Sequence, residues 1–180
     1  MVKAVMGSDK VLYFRKLGEA ESGTLVLQTE HSKSASRERE KTQTKFGAVS
    51  RSGALEEEVS ISALQSKDDP FFEVLQDAVY EDYPMEVWEV DLNKKSDDET
   101  GGTKYQGEYR QGFLSSWEES SNAEEEATVE GTFVTEGVRQ KGLVTLTPEQ
   151  LEELQYVFHD MTAEDIPDDG LADLVAPAGA

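Results

Sequence analysis

The residue types that most often carry chemistry are few in this chain and poorly spaced for it. The two histidines, His31 and His159, stand far apart, and neither lies in an H-x-x-x-H or H-E-x-x-H spacing that would bring two imidazoles to one metal. Each reads as a surface or packing residue. There is no cysteine, so thiolate nucleophiles, disulfides and thiolate metal sites are excluded. No G-x-S-x-G and no phosphate-binding glycine loop occurs, and a serine nucleophile would lack a visible base. Carboxylates abound, but Glu124-Glu125-Glu126 and Asp168-Asp169-Gly170 lack the alternating oxygen ligands of a calcium loop and read as solvated acidic turns. A carboxylate pair for glycoside cleavage is left open, because its separation is not written in the sequence. The expectation is a protein that is not an enzyme and holds no cofactor or metal.

The charged residues are distributed unevenly. Thirty-eight Asp and Glu face seventeen Lys and Arg, for a net charge of -21. That balance argues against binding nucleic acid through phosphate contacts, which need clustered cations. The acid is concentrated late: from Glu118 to Asp173 there are sixteen Asp or Glu against Arg139 and Lys141 alone. Against this background SKSASREREKTQTK is a basic island, with Lys33, Arg37, Arg39, Lys41 and Lys45 against Glu38 and Glu40. A basic segment on an acidic body suggests that one copy's segment meets another copy's surface.

The elements that must carry these residues are mainly strands. Val11–Phe14 and Leu25–Leu27 are short apolar runs, and Val59, Ile61 and Ala63 alternate with Ser60 and Ser62. In Met85–Leu92 the alternation puts Trp88, Val90 and Leu92 on one face and Glu89 and Asp91 on the other. Tyr105, Tyr109, Phe113 and Trp117 share a parity and predict an aromatic stripe along one long strand, read as core. ATVEGTFVTEG and VRQKGLVTLT read as two strands of a hairpin turning at Gly137. Ser32 to Gly53, between the runs TLVLQTEH and ALEEEVSIS, offers little apolar side chain and reads as a long loop without secondary structure. Asn93 to Gly102 reads as a mobile loop between strands.

Two helices carry start signals. Asp69 is an N-cap with Pro70 at the first position, followed by Phe71, Leu75, Ala78 and Val79 on one face and a stop at Tyr83-Pro84. Thr147-Pro148-Glu149-Gln150 reads as a capping box ahead of Leu151, Leu154, Val157 and Phe158. One domain over 1–158 and an acidic, flexible tail over 159–180 are expected. At 180 residues the chain buries roughly 70% of its unfolded surface, enough for a core without staples. No apolar run is long enough to span a membrane, and MVKAVMGSDK lacks a signal-peptide core, so the protein is expected to stay where it is made, in the cytoplasm.

The order of MGSDKVLYFRKL, LVLQTEHSKSASRERE with TKFG, EEEVSISAL before an Asp-Pro helix, MEVWEVDL, YQGEYRQGFLSSWEESSNAEEEATVEGTFVTEG and KGLVTLTPEQ resembles the major tail protein, or tail tube protein, of long non-contractile-tailed bacteriophages. The resemblance spans roughly residues 1 to 155. It implies a β-sandwich or half-barrel with a flanking helix, a fold shared with the tube protein of the type VI secretion system. It also implies six copies per ring and rings stacked around a tape measure protein. Tail terminator and distal tail proteins would cap the tube, which is assembled in the host cytoplasm and becomes part of the virion, and genomic DNA would pass through its lumen. The family's loop between early strands, which reaches a neighbouring subunit, falls on Ser32 to Gly53. Lys33, Arg37, Arg39, Lys41 and Lys45 are then subunit-contact candidates. Glu56 and Glu58 are candidate lumen-facing acids, because Glu57 shares the parity of Val59 and Ile61. A reading of another class is an acidic β-sandwich that binds carbohydrate on a platform of Tyr105, Tyr109 and Trp117.

Overall fold

The alternating runs build six strands that join into a single antiparallel sheet. In a computed structural model, which describes residues 7–66, 69–97, 103–148 and 150–151, these are β1 (Lys10–Lys16), β2 (Gln28–Thr44), β3 (Gly47–Leu64), β4 (Met85–Asp97), β5 (Thr103–Ser120) and β6 (Thr128–Thr145). One helix, α1 (Pro70–Tyr80), lies between β3 and β4. The order across the sheet is β1-β4-β5-β6-β3-β2, so the first two strands form its opposite edges. The chain between them nevertheless ties those edges together. Phe14 and Gly23 exchange backbone hydrogen bonds of 2.7 and 3.0 Å, Thr24 Oγ1 donates to the Leu12 carbonyl at 2.6 Å, and Leu12 N donates to Gln28 Oε1 at 3.3 Å. The sheet is therefore curled, as the twist of long strands favours.

The core fills the concave side of this curl. Leu12 and Phe14 of β1, Met85 and Val87 of β4, Leu114 of β5, Val129 and Phe133 of β6, and Val59, Ile61 and Ala63 of β3 form one buried cluster. Leu75 and Ala78 of α1 complete it, with Phe72, Val74 and Val79 at its margin. Each fully buried large apolar side chain contributes about 1.5–3 kcal/mol, so this layer dominates the stability.

The helix is placed by its cap. Asp69 has extended backbone and accepts from Phe71 N at 3.0 Å through Oδ1, while Oδ2 accepts from Val26 N at 2.9 Å. One carboxylate thus starts the helix and fastens it to the chain entering β2. Phe71 lies against the backbone of Gly23, where a Cβ would stand 1.9 Å from its ring, which is why glycine occupies that position. Beyond Tyr80, Glu81 N donates to Asp77 O, and Tyr83 Oη donates to Val74 O. Separately, Thr147 opens a second unit (Thr147–Ala180) with the expected capping box: Gln150 N donates to Thr147 Oγ1 at 3.3 Å, and Thr147 N to Gln150 Oε1 at 3.1 Å. Leu154, Val157, Phe158, His159, Asp168, Asp169 and the tail over 159–180 lie outside the described residues.

Four expectations are corrected. Ser32 to Gly53 is not a loop: β2 and β3 continue through it and pair from Arg39↔Ser52 to Thr44↔Gly47. Thr24–Leu27 precedes β2 and is not part of a strand. The segments on either side of Gly137 are one strand, β6, and Gly137 (φ +88°) sits in an irregularity where Tyr109↔Gln140 is followed by Gln111↔Glu136. Extra residues there make a bulge, not a turn. Asn93–Asp97, expected as loop, extends β4, and Lys95–Asp97 pairs with Thr103–Tyr105.

Candidate assembly surface

The extended β2 and β3 form an arm. β3 pairs with β6 only from Glu58↔Val134 to Leu64↔Thr128; Gly47–Glu57 pairs with β2 alone. At a strand's rise the arm is a two-stranded ribbon about 35 Å long. It turns at Lys45-Phe46, where Gly47 has φ +130° and Thr44 Oγ1 donates to the Gly47 carbonyl at 2.6 Å. That backbone region is open to glycine and strained for other residues. Phe46 at the tip is fully exposed. An isolated ribbon of this kind is marginal in water, so a partner surface is the physical expectation for it.

Strand pleating sorts the arm's charges. Arg37, Arg39 and Lys41 alternate along β2 on one face, opposite Leu55, Ser52 and Ser50, whereas Glu38 and Glu40 point the other way and Glu40 lies across from Arg51. A bulge between Arg37 and Arg39 is closed by Arg37 Nη1 donating to the Gly53 carbonyl at 3.2 Å. The structure thus groups Arg37, Arg39 and Lys41, but separates Lys45, in the turn, and Lys33, at the arm's base.

Lys33 belongs to an ion network on the concave side, just above the apolar core. Its Nζ donates to Glu89 and Glu108, both at 2.8 Å. Arg110, whose side chain is 0% exposed, donates through Nε to Glu57 and through Nη2 to Glu108, each at 2.7 Å. Arg139 reaches Glu108 at 2.6 Å, while His31 and Lys10 lie 3.2 and 3.5 Å from Glu89. Burial works to raise the Glu89 pKa, but hydrogen bonds from His31 and Lys33 and the charges of Lys33 and Lys10 hold it at about 2. Glu108 is likewise pushed up by burial and pulled down more strongly, to about 2, by Lys33, Arg110 and Arg139. β2 and β4 are separated by three strands in the sheet, so this network also records the curl. Sequence reasoning missed it. The available signal was Glu57 and Glu89 on the same parity as buried Val59 and Val87.

The opposite, convex face carries a different chemistry where β2, β3, β5 and β6 lie side by side. Its cross-strand rungs are Ser34↔Glu58↔Val134, Ser32↔Ser60↔Thr132↔Ser116 and Glu30↔Ser62↔Glu130↔Glu118. Glu56, opposite Ser36, continues the face onto the arm. Glu56 and Glu58 are both exposed, and among the described residues these rungs contain no Lys or Arg.

The carbohydrate platform does not form. A bulge between Leu114 and Ser116 switches the parity of β5, so Trp117 packs on the core side against Phe72, with ring centroids 5.3 Å apart, while Tyr105 and Tyr109 face the other way. Tyr105 is buried, and the Tyr109 hydroxyl donates to Glu86 at 2.6 Å beside Arg15 and Trp88. Glu124, Glu125 and Glu126 are exposed in the β5–β6 turn, and no group of His, Asp or Glu able to hold a metal occurs among the described residues. No helix among them is long and apolar enough to cross a membrane.

Comparison with known proteins agrees with this architecture. A tail protein of Staphylococcus phage phiMR25 is 30% identical over 164 residues, covering 88% of this chain and 83% of the phage protein. Among solved structures, the SPP1 tail tube superposes with a TM-score of 0.68 at 17% identity, over 89% of this chain and 92% of the other. The tail of a gene transfer agent particle, determined with C6 symmetry, gives 0.57 at 14% identity over 80% and 100%. The family model for phage tail tube protein matches residues 4–141. The chain therefore belongs to the phage tail tube protein family, as a structural component of the tail and not an enzyme.

Proposed function

We propose that this protein polymerises as stacked rings of six copies into a tail tube that encloses the tape measure protein and later conducts genomic DNA. The arm is the observation that carries the reading: about 35 Å of ribbon pairs only with itself in the single chain, and its Arg37, Arg39 and Lys41 face has no carboxylate among its cross-strand partners. A heterologous ring contact needs two different surfaces that fit head to tail, and the basic arm against the acidic body of the next copy is such a pair. Lys45 and the exposed Phe46 extend that contact at the tip. The C6 symmetry of the gene transfer agent tail, which shares the fold, supports the ring number.

The convex face is the candidate lumen wall. The carboxylates of Glu56, Glu58, Glu118 and Glu130 would repel phosphates, and the rungs of Ser, Thr and Glu across β2, β3, β5 and β6 carry no cation for DNA to bind, so passage stays fast. The tube's ends would meet tail terminator and distal tail proteins. Cryo-electron microscopy of the assembled protein tests the whole reading. The expected result is a six-fold hollow tube with Glu56 and Glu58 lining its channel; those residues on the outer wall would overturn the lumen assignment, and protein that forms no rings or tubes would overturn the assembly itself.

A further inference from the structure

The arm and the upper part of β6 part company above Glu58↔Val134, and the fork between them is a cleft of about 380 Å³. It is lined by Lys33, Ala35, Leu55, Arg110, Val138 and Arg139, together with Glu57 and Ser34. Two features set it apart from an ordinary groove. Both of its walls are strand edges: Gly47–Glu57 of β3 and Thr135–Thr145 of β6 have no strand on that side among the described residues. In addition Arg110, with its side chain 0% exposed, has satisfied Nε and Nη2 but leaves buried Nη1 without a partner. A buried guanidinium N–H that lacks an acceptor is costly, and so marks a place where an acceptor is missing.

The charge balance says which acceptor. The network that enters the cleft through Lys33, Glu57, Arg110 and Arg139 and continues beneath it joins four cations (Lys10, Lys33, Arg110 and Arg139) to three carboxylates (Glu57, Glu89 and Glu108). By the formal count over Lys, Arg, Asp and Glu, one positive charge is left over in a protein of net charge -21. We propose that this cleft receives an Asp or Glu side chain from an extended segment of a second copy, which pairs with Arg110, Lys33 and Arg139 while its backbone lies along a free strand edge. This rests on the tube reading, which supplies the second copy at high local concentration. Charge complementarity favours that occupant, since the rest of the molecule presents an excess of exposed carboxylates.

Carbodiimide coupling of assembled protein is the test, because it joins the Lys33 amine directly to any carboxylate in contact with it. Assembly from a mixture of unlabelled and nitrogen-15-labelled subunits lets mass spectrometry separate links between copies from links within one. The expected product is a mixed-isotope link from Lys33 to an Asp or Glu of another copy, in addition to links within one chain to Glu89 and Glu108. Arg139→Ala, which removes an exposed cation and leaves Arg110 paired, should lower the yield of that link about tenfold. Tubes whose Lys33 links all lie within one chain, including any to the acidic segment after Leu151, would overturn the proposal while leaving the tube standing. Absence of tubes in the micrographs would overturn both.

Discussion

Replacing Glu89 by Gln keeps the side chain's shape and removes one charge from the centre of the concave network. The Glu89 side chain is 5% exposed, with Lys33 at 2.8 Å, His31 at 3.2 Å and Lys10 at 3.5 Å. Against the effect of burial, those partners hold its pKa at about 2. The folded value lies below that of the unfolded chain, so the stabilisation is fully present above pH 4.5 and is lost as the pH falls toward 2. Taking an unfolded value near 4.3, ionised Glu89 contributes roughly 3 kcal/mol at pH 7 and about 1 kcal/mol at pH 3. Urea unfolding of unassembled wild type and Glu89→Gln, followed by the fluorescence of Trp88 and Trp117, measures the difference at each pH. Carboxylates outside the network titrate alike in both proteins, so the difference reports Glu89 together with Glu108, which shares Lys33 with it. Expected is a gap of about 3 kcal/mol at pH 7 that closes by more than half at pH 3. A gap that is the same at both pH values, or under about 1 kcal/mol at pH 7, would refute the assignment of the network as a stabilising one.

The arm's role is separable from the fold. Arg37→Ala, Arg39→Ala and Lys41→Ala together remove exposed groups that touch no core residue, so unfolding of the unassembled protein should shift by no more than about 0.5 kcal/mol, while the concentration needed for tubes rises at least about tenfold. Normal tubes at the wild-type concentration, seen by negative-stain microscopy, would sink the contact role. Asp69→Ala tests the helix anchor: losing the cap to Phe71 N and the bond to Val26 N should cost about 1–2 kcal/mol. An unchanged urea midpoint would show that packing of Leu75 and Ala78 alone positions α1.

Wherever a strand or helix buries one face, its type was legible in the sequence. The Asp69-Pro70 start, the alternation of Val59, Ile61 and Ala63, and the run from Met85 to Leu92 all correspond to elements of the structure. The arm was not legible, because neither of its faces is buried and the hydrophobic alternation that signals a strand is absent from Ser32 to Gly53. Its strand character rests on backbone pairing and on the Gly47 turn. The parity of β5 was misread for a different reason: the bulge after Leu114 moves Trp117 to the core side, and a bulge leaves no mark in side-chain periodicity until the partner strand is known. The ion network escaped because thirty-eight acids hide the three, Glu57, Glu89 and Glu108, that meet its cations. Only the parity shared with core residues distinguishes Glu57 and Glu89 from the solvated remainder.

The position of that network explains why charge was retained where apolar packing would serve stability as well. On the concave side the apolar layer of Val59, Val87, Leu114 and Phe133 gives way, one step up β3, β4 and β6, to Glu57, Glu89 and Thr135, and two steps along β5, past Gly112, to Arg110. A buried ion pair of this kind adds little over well-packed apolar residues, but breaking it costs about 3–5 kcal/mol because a buried charge is stranded. Its energetic weight is therefore on register. A slip of β3 by two residues along β6 would keep the apolar and polar faces in phase, and an all-apolar layer would tolerate it. With Glu57 bound to Arg110 at 2.7 Å, the same slip would part the pair. The point at which β3 leaves β6 is fixed in this way, and with it the length and direction of the arm. For the proposed contact between copies, that reach is the quantity most in need of a fixed value.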